Sequence, residues 1–147
     1  MKHSFRQSEN YRFFASWLII IVYLLSLGID CFCTKDNCVL GIGALLLGIL
    51  GLFTGDTAIS WLANPFFIAA VILTFRGSKY SIVVSMAAML FSLSFLLFNK
   101  VLKDEAGHYE EIQSLKLGYW LWISSMTMLV ICNIVFKKAQ EITDDRF

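Results

Sequence analysis

Charged residues are scarce in this sequence. Asp, Glu, Lys and Arg make up 16% of its 147 residues, whereas a water-soluble domain has about a quarter. No catalytic, metal-binding or nucleotide-binding motif of real specificity is present, and no cofactor is expected. The net charge of +1 and the lack of a basic domain argue against nucleic acid as a partner, and no glycine-rich loop follows a strand to hold a nucleotide.

The sequence consists mainly of long apolar runs. Apolar residues make up 58% of the chain, and its mean hydropathy is +0.70. Lipid requires such uninterrupted runs and a soluble core does not, and helices satisfy their own backbone in hydrocarbon. The sequence therefore predicts an all-α integral membrane helical bundle. The blocks without a charged residue are Phe13–Ile29, Val39–Phe53, Ala58–Phe75, Ser81–Phe98 and Gly118–Phe136.

The first block resembles a secretion signal, because the basic segment Met1–Arg12 precedes it. Signal peptidase requires small residues after the apolar region, and Leu27–Cys31 offers no such site. We expect the block to remain in the protein as a signal anchor.

The distribution of Lys and Arg indicates how many blocks cross the membrane, because these residues favour the cytoplasmic side. Five crossings would divide the 12 basic residues evenly. Four crossings with both termini in the cytoplasm leave only four of the basic residues outside, which is the expected asymmetry. The four are Lys35, Lys100, Lys103 and Lys116.

The block at 39–53 is the best candidate for not crossing, because its 15 residues would form a helix of only about 22 Å. We predict one membrane domain over 13–136, with a short re-entrant or interfacial helix at 39–53. The segments 1–12 and 137–147 are predicted to be cytoplasmic. The predicted spans are 13–29, 58–75, 81–98 and 118–136.

Three cysteines, Cys31, Cys33 and Cys38, fall in the first outer loop. In an oxidising compartment Cys38 is expected to form a disulfide with Cys31 or Cys33, which leaves one thiol over. That thiol is either inert, reactive or paired with another chain. A zinc site would need a distant fourth ligand such as His108, and no metal site is predicted.

The segment Trp61–Phe66 places an amide, Asn64, and a helix breaker, Pro65, within the third block. The proline frees the carbonyl of Trp61, and a polar group in lipid needs a partner. A kink that admits the short helix is the structural interpretation. A ligand or ion position at the unwound turn is the functional one.

Small residues form two stripes at helical spacing, which permits close helix contact in lipid. The contact lies either within one chain or between copies. The stripes are Ala44, Gly48, Gly51 and Gly55, and Ser81, Ser85, Ala88 and Ser92.

The second outer loop, Asn99–Leu117, carries the densest acidic cluster. It includes Asp104, Glu105 and His108, which could bind a cation or a basic partner. A solvated charged loop is the alternative interpretation. No carboxylate pair has a dictated separation, so no catalytic residue is predicted.

Three marks resemble those of a group of small, uncharacterised bacterial four-pass inner-membrane proteins: Trp61–Pro65, Glu105–Gly107 and Gly118–Ser125. The resemblance implies a bacterial inner-membrane location and no activity. If the marks form one unit at the outer face, their junction is the expected binding surface. Its residues are Trp61, Asn64, Pro65, Asp104, Glu105, His108, Trp120 and Trp122.

Three functions remain open. The first is a non-enzymatic membrane protein that binds lipids and another membrane protein or a second copy of itself, as an accessory subunit of an envelope complex or an immunity-type protein. The second is an oligomeric small transporter or pore around Asn64. The third is a thiol-disulfide oxidoreductase similar to the quinone-linked disulfide-generating membrane enzymes. This sequence lacks the C-x-x-C pair of those enzymes, and its second outer loop, Asn99–Leu117, has no cysteine.

Overall fold

The structure is a computed structural model that describes residues 2–51, 58–102 and 108–144. It is mostly helical, at 72%, as the sequence predicts. The helices are α1 (Lys2–Leu27), α2 (Gly41–Gly51), α3 (Ala58–Trp61), α4 (Ala63–Phe75), α5 (Ser81–Ser94) and α6 (Leu117–Asp144), and a 3₁₀ turn at Phe95–Leu97 follows α5. The strands are β1 (Asp30–Cys33), β2 (Cys38–Leu40), β3 (Lys100–Leu102), β4 (Tyr109–Glu111) and β5 (Ser114–Leu115).

The helices α1, α4, α5 and α6 pack around one apolar core. Its small members, Ala63, Ala70 and Ala88, are all fully buried, and their small side chains let the helices approach closely. The larger members are Ile19, Tyr23, Phe67, Val71, Met126, Leu129 and Cys132.

The outside of this bundle is more apolar than the outside of a typical water-soluble protein. Large apolar side chains cover its outside: Leu97 is 80% exposed, Phe14 72% and Val83 65%. Such an extensive apolar surface is rare on a soluble monomer. Hydroxyl and amide side chains lie inside instead, among them Ser16, Ser26, Ser60, Asn64, Thr74, Ser81, Ser85, Ser92, Ser125 and Asn133.

Two helices in the described part of the chain are long and apolar enough to cross a membrane, through Asn10–Leu27 and Leu117–Lys138. Only 22% and 33% of these windows is buried, whereas a soluble core helix would be mostly buried. The other predicted spans give the shorter helices Ile59–Phe75 and Ser81–Leu97. The structure therefore has two candidate spans where four are predicted, because these two apolar helices are shorter than the other two.

The all-α prediction misses two small sheets at one end of the bundle. We call β1 to β5 the cap. β1 pairs antiparallel with β2 and with β5, and β3 pairs with β4. The cap has a second core formed by Cys31, Phe32, Val101 and Tyr119. Strands of two to four residues are too short to show an alternating pattern, so the sequence did not reveal them.

The short helix predicted at 39–53 corresponds to α2, and the first residues of that block belong to β2. Residues 52–57 lie outside the described part of the chain. The small residues of α2 contact other parts of the chain: Ala44 packs on the cap core and Gly48 on Trp61. The stripe on α5 is buried along its whole length. As far as the structure describes them, both stripes pack within one chain.

A tight turn joins α4 to α5 at the end of the bundle opposite the cap. Gly77 has φ +66°, a conformation that glycine adopts without strain. The Ser78 N–H donates to the Leu73 carbonyl at 3.0 Å, and the Gly77 N–H donates to the Thr74 carbonyl at 3.1 Å. This is a Schellman helix end, and it reverses the chain so that α5 runs back to the cap.

Candidate functional site

Asn64, in the first turn of α4, is the centre of a buried group of hydrogen bonds. We call Tyr23, Trp61, Asn64 and Trp122 the Asn64 cluster. The Asn64 Oδ1 accepts one bond from the Tyr23 hydroxyl and one from the Trp122 Nε1, both at 3.0 Å. The Asn64 Nδ2 donates to the Trp61 carbonyl at 3.0 Å. Three side chains and the backbone carbonyl of Trp61 thereby join α1, α3, α4 and α6.

Pro65 explains why that carbonyl needs a side-chain donor. A proline has no N–H to give to the carbonyl four residues earlier, which here belongs to Trp61. The Asn64 amide supplies the missing donor at the interruption between α3 and α4. The kink and the polar side chain form one structural unit.

Trp61 also fixes α2 against the bundle. Its Nε1 donates to the Leu45 carbonyl at 2.8 Å. The backbone of Gly48 lies so close to the indole that a Cβ would overlap the ring. The glycine is therefore required for this close approach, and the short helix docks on the kink.

The polar groups of the Asn64 cluster are bonded to one another and leave no acceptor position open on the Asn64 oxygen. Its side chains are neutral, both acceptor directions of the Asn64 oxygen are occupied, and the Tyr23 ring is stacked on Phe67 at 4.6 Å. A ligand or ion could reach the amide oxygen only by displacing Tyr23 or Trp122. Satisfied buried networks of this kind rigidify a core.

The predicted binding surface is divided in the structure. Trp61, Asn64 and Trp122 lie together, and Pro65 adjoins them. Trp120 is instead 49% exposed. Sequence reasoning could not separate the two tryptophans, because α6 is apolar on all sides at this level.

The acidic loop lies between β3 and β4. His108 is exposed just before β4, and Lys100 faces Glu111 across the two strands. Asp104 and Glu105 lie outside the described residues. Across 2–51, 58–102 and 108–144, no three His, Cys, Asp or Glu side chains are arranged to hold a metal ion.

The disulfide joins Cys33 to Cys38, one of the two pairings that the spacing left open. The register explains the choice. Cys33 lies opposite Cys38, while the pairing shifts between Asp30 and Phe32 so that Cys31 has no counterpart on β2. Cys31 is buried in the cap, and burial raises the pKa of its thiol to about 12.

We expect Cys31 to resist alkylation in the folded protein. The thiolate is the reactive form, and a pKa of about 12 keeps the thiol protonated at pH values well below it. Maleimide added to the protein in mild detergent near pH 8 should leave Cys31 unmodified, and the same reagent should modify it after denaturation. Rapid modification of the folded protein would contradict this assignment and would favour thiol chemistry.

Sequence reasoning missed two residues with structural roles inside the bundle. Tyr23 is one of the two donors to Asn64. Asn133 on α6 accepts a bond from Thr74 on α4 at 2.8 Å and donates to the Ser81 carbonyl and the Ser85 hydroxyl, both at 3.3 Å. A signal was present, because an amide within an apolar block needs partners on other helices.

Comparison with known proteins adds no assignment: no family model, no curated protein and no solved structure matches the chain.

Proposed function

We propose that this chain is a bacterial inner-membrane protein with four spans: α1, α3 with α4, α5, and α6. The apolar exterior of the bundle and the hydroxyl and amide side chains buried between its helices support this arrangement. The helices Ile59–Phe75 and Ser81–Leu97 are each about 26 Å long, a little less than a hydrocarbon core of about 30 Å. A bilayer accommodates a mismatch of this size by local thinning.

The basic residues support the orientation, with the cap outside and the α4–α5 turn in the cytoplasm. The turn carries Arg76 and Lys79, and the adjoining end of α6 carries Lys137 and Lys138. Fewer basic residues lie at the cap, where the described ones are Lys35, Lys100 and Lys116. An excess of basic residues on the cytoplasmic side is the rule for membrane proteins.

In that membrane the protein binds another membrane protein through the cap, as an accessory subunit of an envelope complex or as an immunity-type protein. The observation that carries this proposal is the construction of the cap. It has its own core and a disulfide, and it exposes Lys35, Asp36 and Asn37 on one hairpin. A surface fixed before binding loses little entropy on binding.

The two alternatives have less support. A pore or transporter built on Asn64 needs an accessible polar group, and the oxygen of this amide is fully occupied. A thiol enzyme needs a reactive thiol, and Cys31 is buried with a raised pKa.

Site-specific photo-crosslinking in native membranes tests the proposal. A photoreactive residue at Asn37 or at Trp120 should give a discrete adduct with one protein. The same residue at Val83, which is 65% exposed on α5, is the matched control and should give lipid adducts only. An adduct with a second copy of the chain would identify a homo-oligomer.

Loss of the disulfide provides a second readout. The double substitution Cys33→Ser and Cys38→Ser frees the hairpin and should greatly reduce the adduct at Asn37. Lipid adducts alone, or no adducts, at both Asn37 and Trp120 would overturn the proposed function.

A further inference from the structure

A basic cavity of about 220 Å³ opens at the end of the bundle that carries the α4–α5 turn. Its charged lining residues come from three elements: Arg12 from α1, Lys79 from the turn and Lys137 from α6. None of the described residues that line it is acidic. Three cations converge on one recess, which favours an anion as its occupant.

The inner wall of the cavity is a fixed polar structure. Thr74 and Asn133 line it, and the bond between their side chains holds α4 to α6. Asn133 also bonds to Ser81, another lining residue at the start of α5. Because these groups bind one another, they set the shape of the recess, and the cationic side chains supply the charge.

Gly77 provides the space for the arginine. A Cβ built on this glycine would lie 3.0 Å from one terminal nitrogen of Arg12, so the guanidinium rests against the turn. Arg12 is half-buried there. The Lys79 Nζ lies 5.4 Å from the centre of the Tyr80 ring. A planar guanidinium suits the oxygens of a phosphate group, with an ammonium as a second point charge.

An aromatic surface continues from the same part of α1. Phe13 and Trp17 pack on Phe75 of α4, with ring centroids 5.5 and 6.3 Å from it. Phe13 remains 56% exposed and Trp17 48%. A phosphate held by Arg12 would therefore have an exposed apolar wall beside it, which suits a ligand that carries acyl chains.

We propose that the basic cavity binds the phosphate of an anionic phospholipid of the cytoplasmic leaflet. The assignment rests on the four-span arrangement proposed above and adds a ligand at the end opposite the cap. Basic pockets between membrane helices on the cytoplasmic side are suited to anionic headgroups. A free phosphate has the same anionic chemistry but gains nothing from the aromatic wall.

Native mass spectrometry of the purified full chain tests the proposal, with phosphatidylglycerol, phosphatidylcholine and inorganic phosphate as separate probes. Phosphatidylglycerol should bind more tightly than the other two. Arg12→Gln and Lys79→Gln should each weaken its binding about tenfold, roughly the effect of losing one charge-assisted hydrogen bond. Lys116→Gln removes an exposed charge at the cap and should have no effect.

Further comparisons separate a loss of binding from a loss of folding, and a lipid ligand from free phosphate. Arg12→Lys should restore part of the affinity, and an unchanged melting temperature of Arg12→Gln would show that the loss is not one of folding. The exposed position of Lys79 makes Lys79→Gln the safer variant for folding. Equal binding of inorganic phosphate would overturn the lipid assignment, and so would unchanged phosphatidylglycerol affinity in both variants. Neither result depends on crosslinking at the cap.

Discussion

Replacing Asn64 with Leu should lower the free energy of unfolding by about 2 kcal/mol, since three hydrogen bonds are lost and each is worth roughly 0.6 kcal/mol in a membrane protein. The substitution leaves the Tyr23 hydroxyl, the Trp122 Nε1 and the Trp61 carbonyl without their present partner. Thermal or SDS-induced unfolding of the purified protein measures the change.

Asn99→Leu is the matched control, because Asn99 is exposed and the same change should cost little there. The single variant Tyr23→Phe removes one donor to Asn64 and little else, and it should cost less than Asn64→Leu. A variant Asn64→Leu as stable as the wild type would mean that the Asn64 cluster does not hold the helices together. Asn64 would then become a candidate ligand position again.

Gly48→Ala should destabilise the protein by roughly 1 to 3 kcal/mol, the usual cost of overpacking. The added methyl group would overlap the Trp61 ring. The indole must then move and weaken its bond to the Leu45 carbonyl. Unfolding measurements give the stability, and faster proteolysis of α2 would show that the helix has detached.

Gly43→Ala is a control on the same helix, because a Cβ there would meet only Val39, at the ordinary contact distance of 3.4 Å. A glycine-to-alanine change within a helix stabilises it by about 0.5 to 1 kcal/mol where space allows. The two variants should therefore change stability in opposite directions. Equal effects would contradict the close approach of Gly48 to Trp61.

The positions of the main helices follow from the sequence because uninterrupted apolar runs of this length have few alternative structures. The kink also follows, since Pro65 removes a donor at a known place. The partners of Asn64 do not follow. Tyr23 lies 41 residues before it and Trp122 58 residues after it, and no local pattern encodes contacts at such separations.

The cap was the least predictable part, because it depends on strand register. Cysteine spacing allowed Cys38 to pair with either Cys31 or Cys33, and the shift in pairing at Cys31 selects Cys33. The basic cavity could not be predicted from the sequence either, since Arg12 and Lys137 are 125 positions apart. Their convergence follows from the packing of α1 along α6.

The four-span arrangement is tested most directly by labelling single introduced cysteines in spheroplasts with a maleimide that cannot cross the membrane. Lys100→Cys reports on the cap and Lys79→Cys on the α4–α5 turn, and both positions are exposed. We expect Lys100→Cys to react in intact spheroplasts and Lys79→Cys to react only after lysis. Reaction of Lys79→Cys in intact spheroplasts would contradict the proposed arrangement, because the α4–α5 turn would then lie outside the cytoplasm.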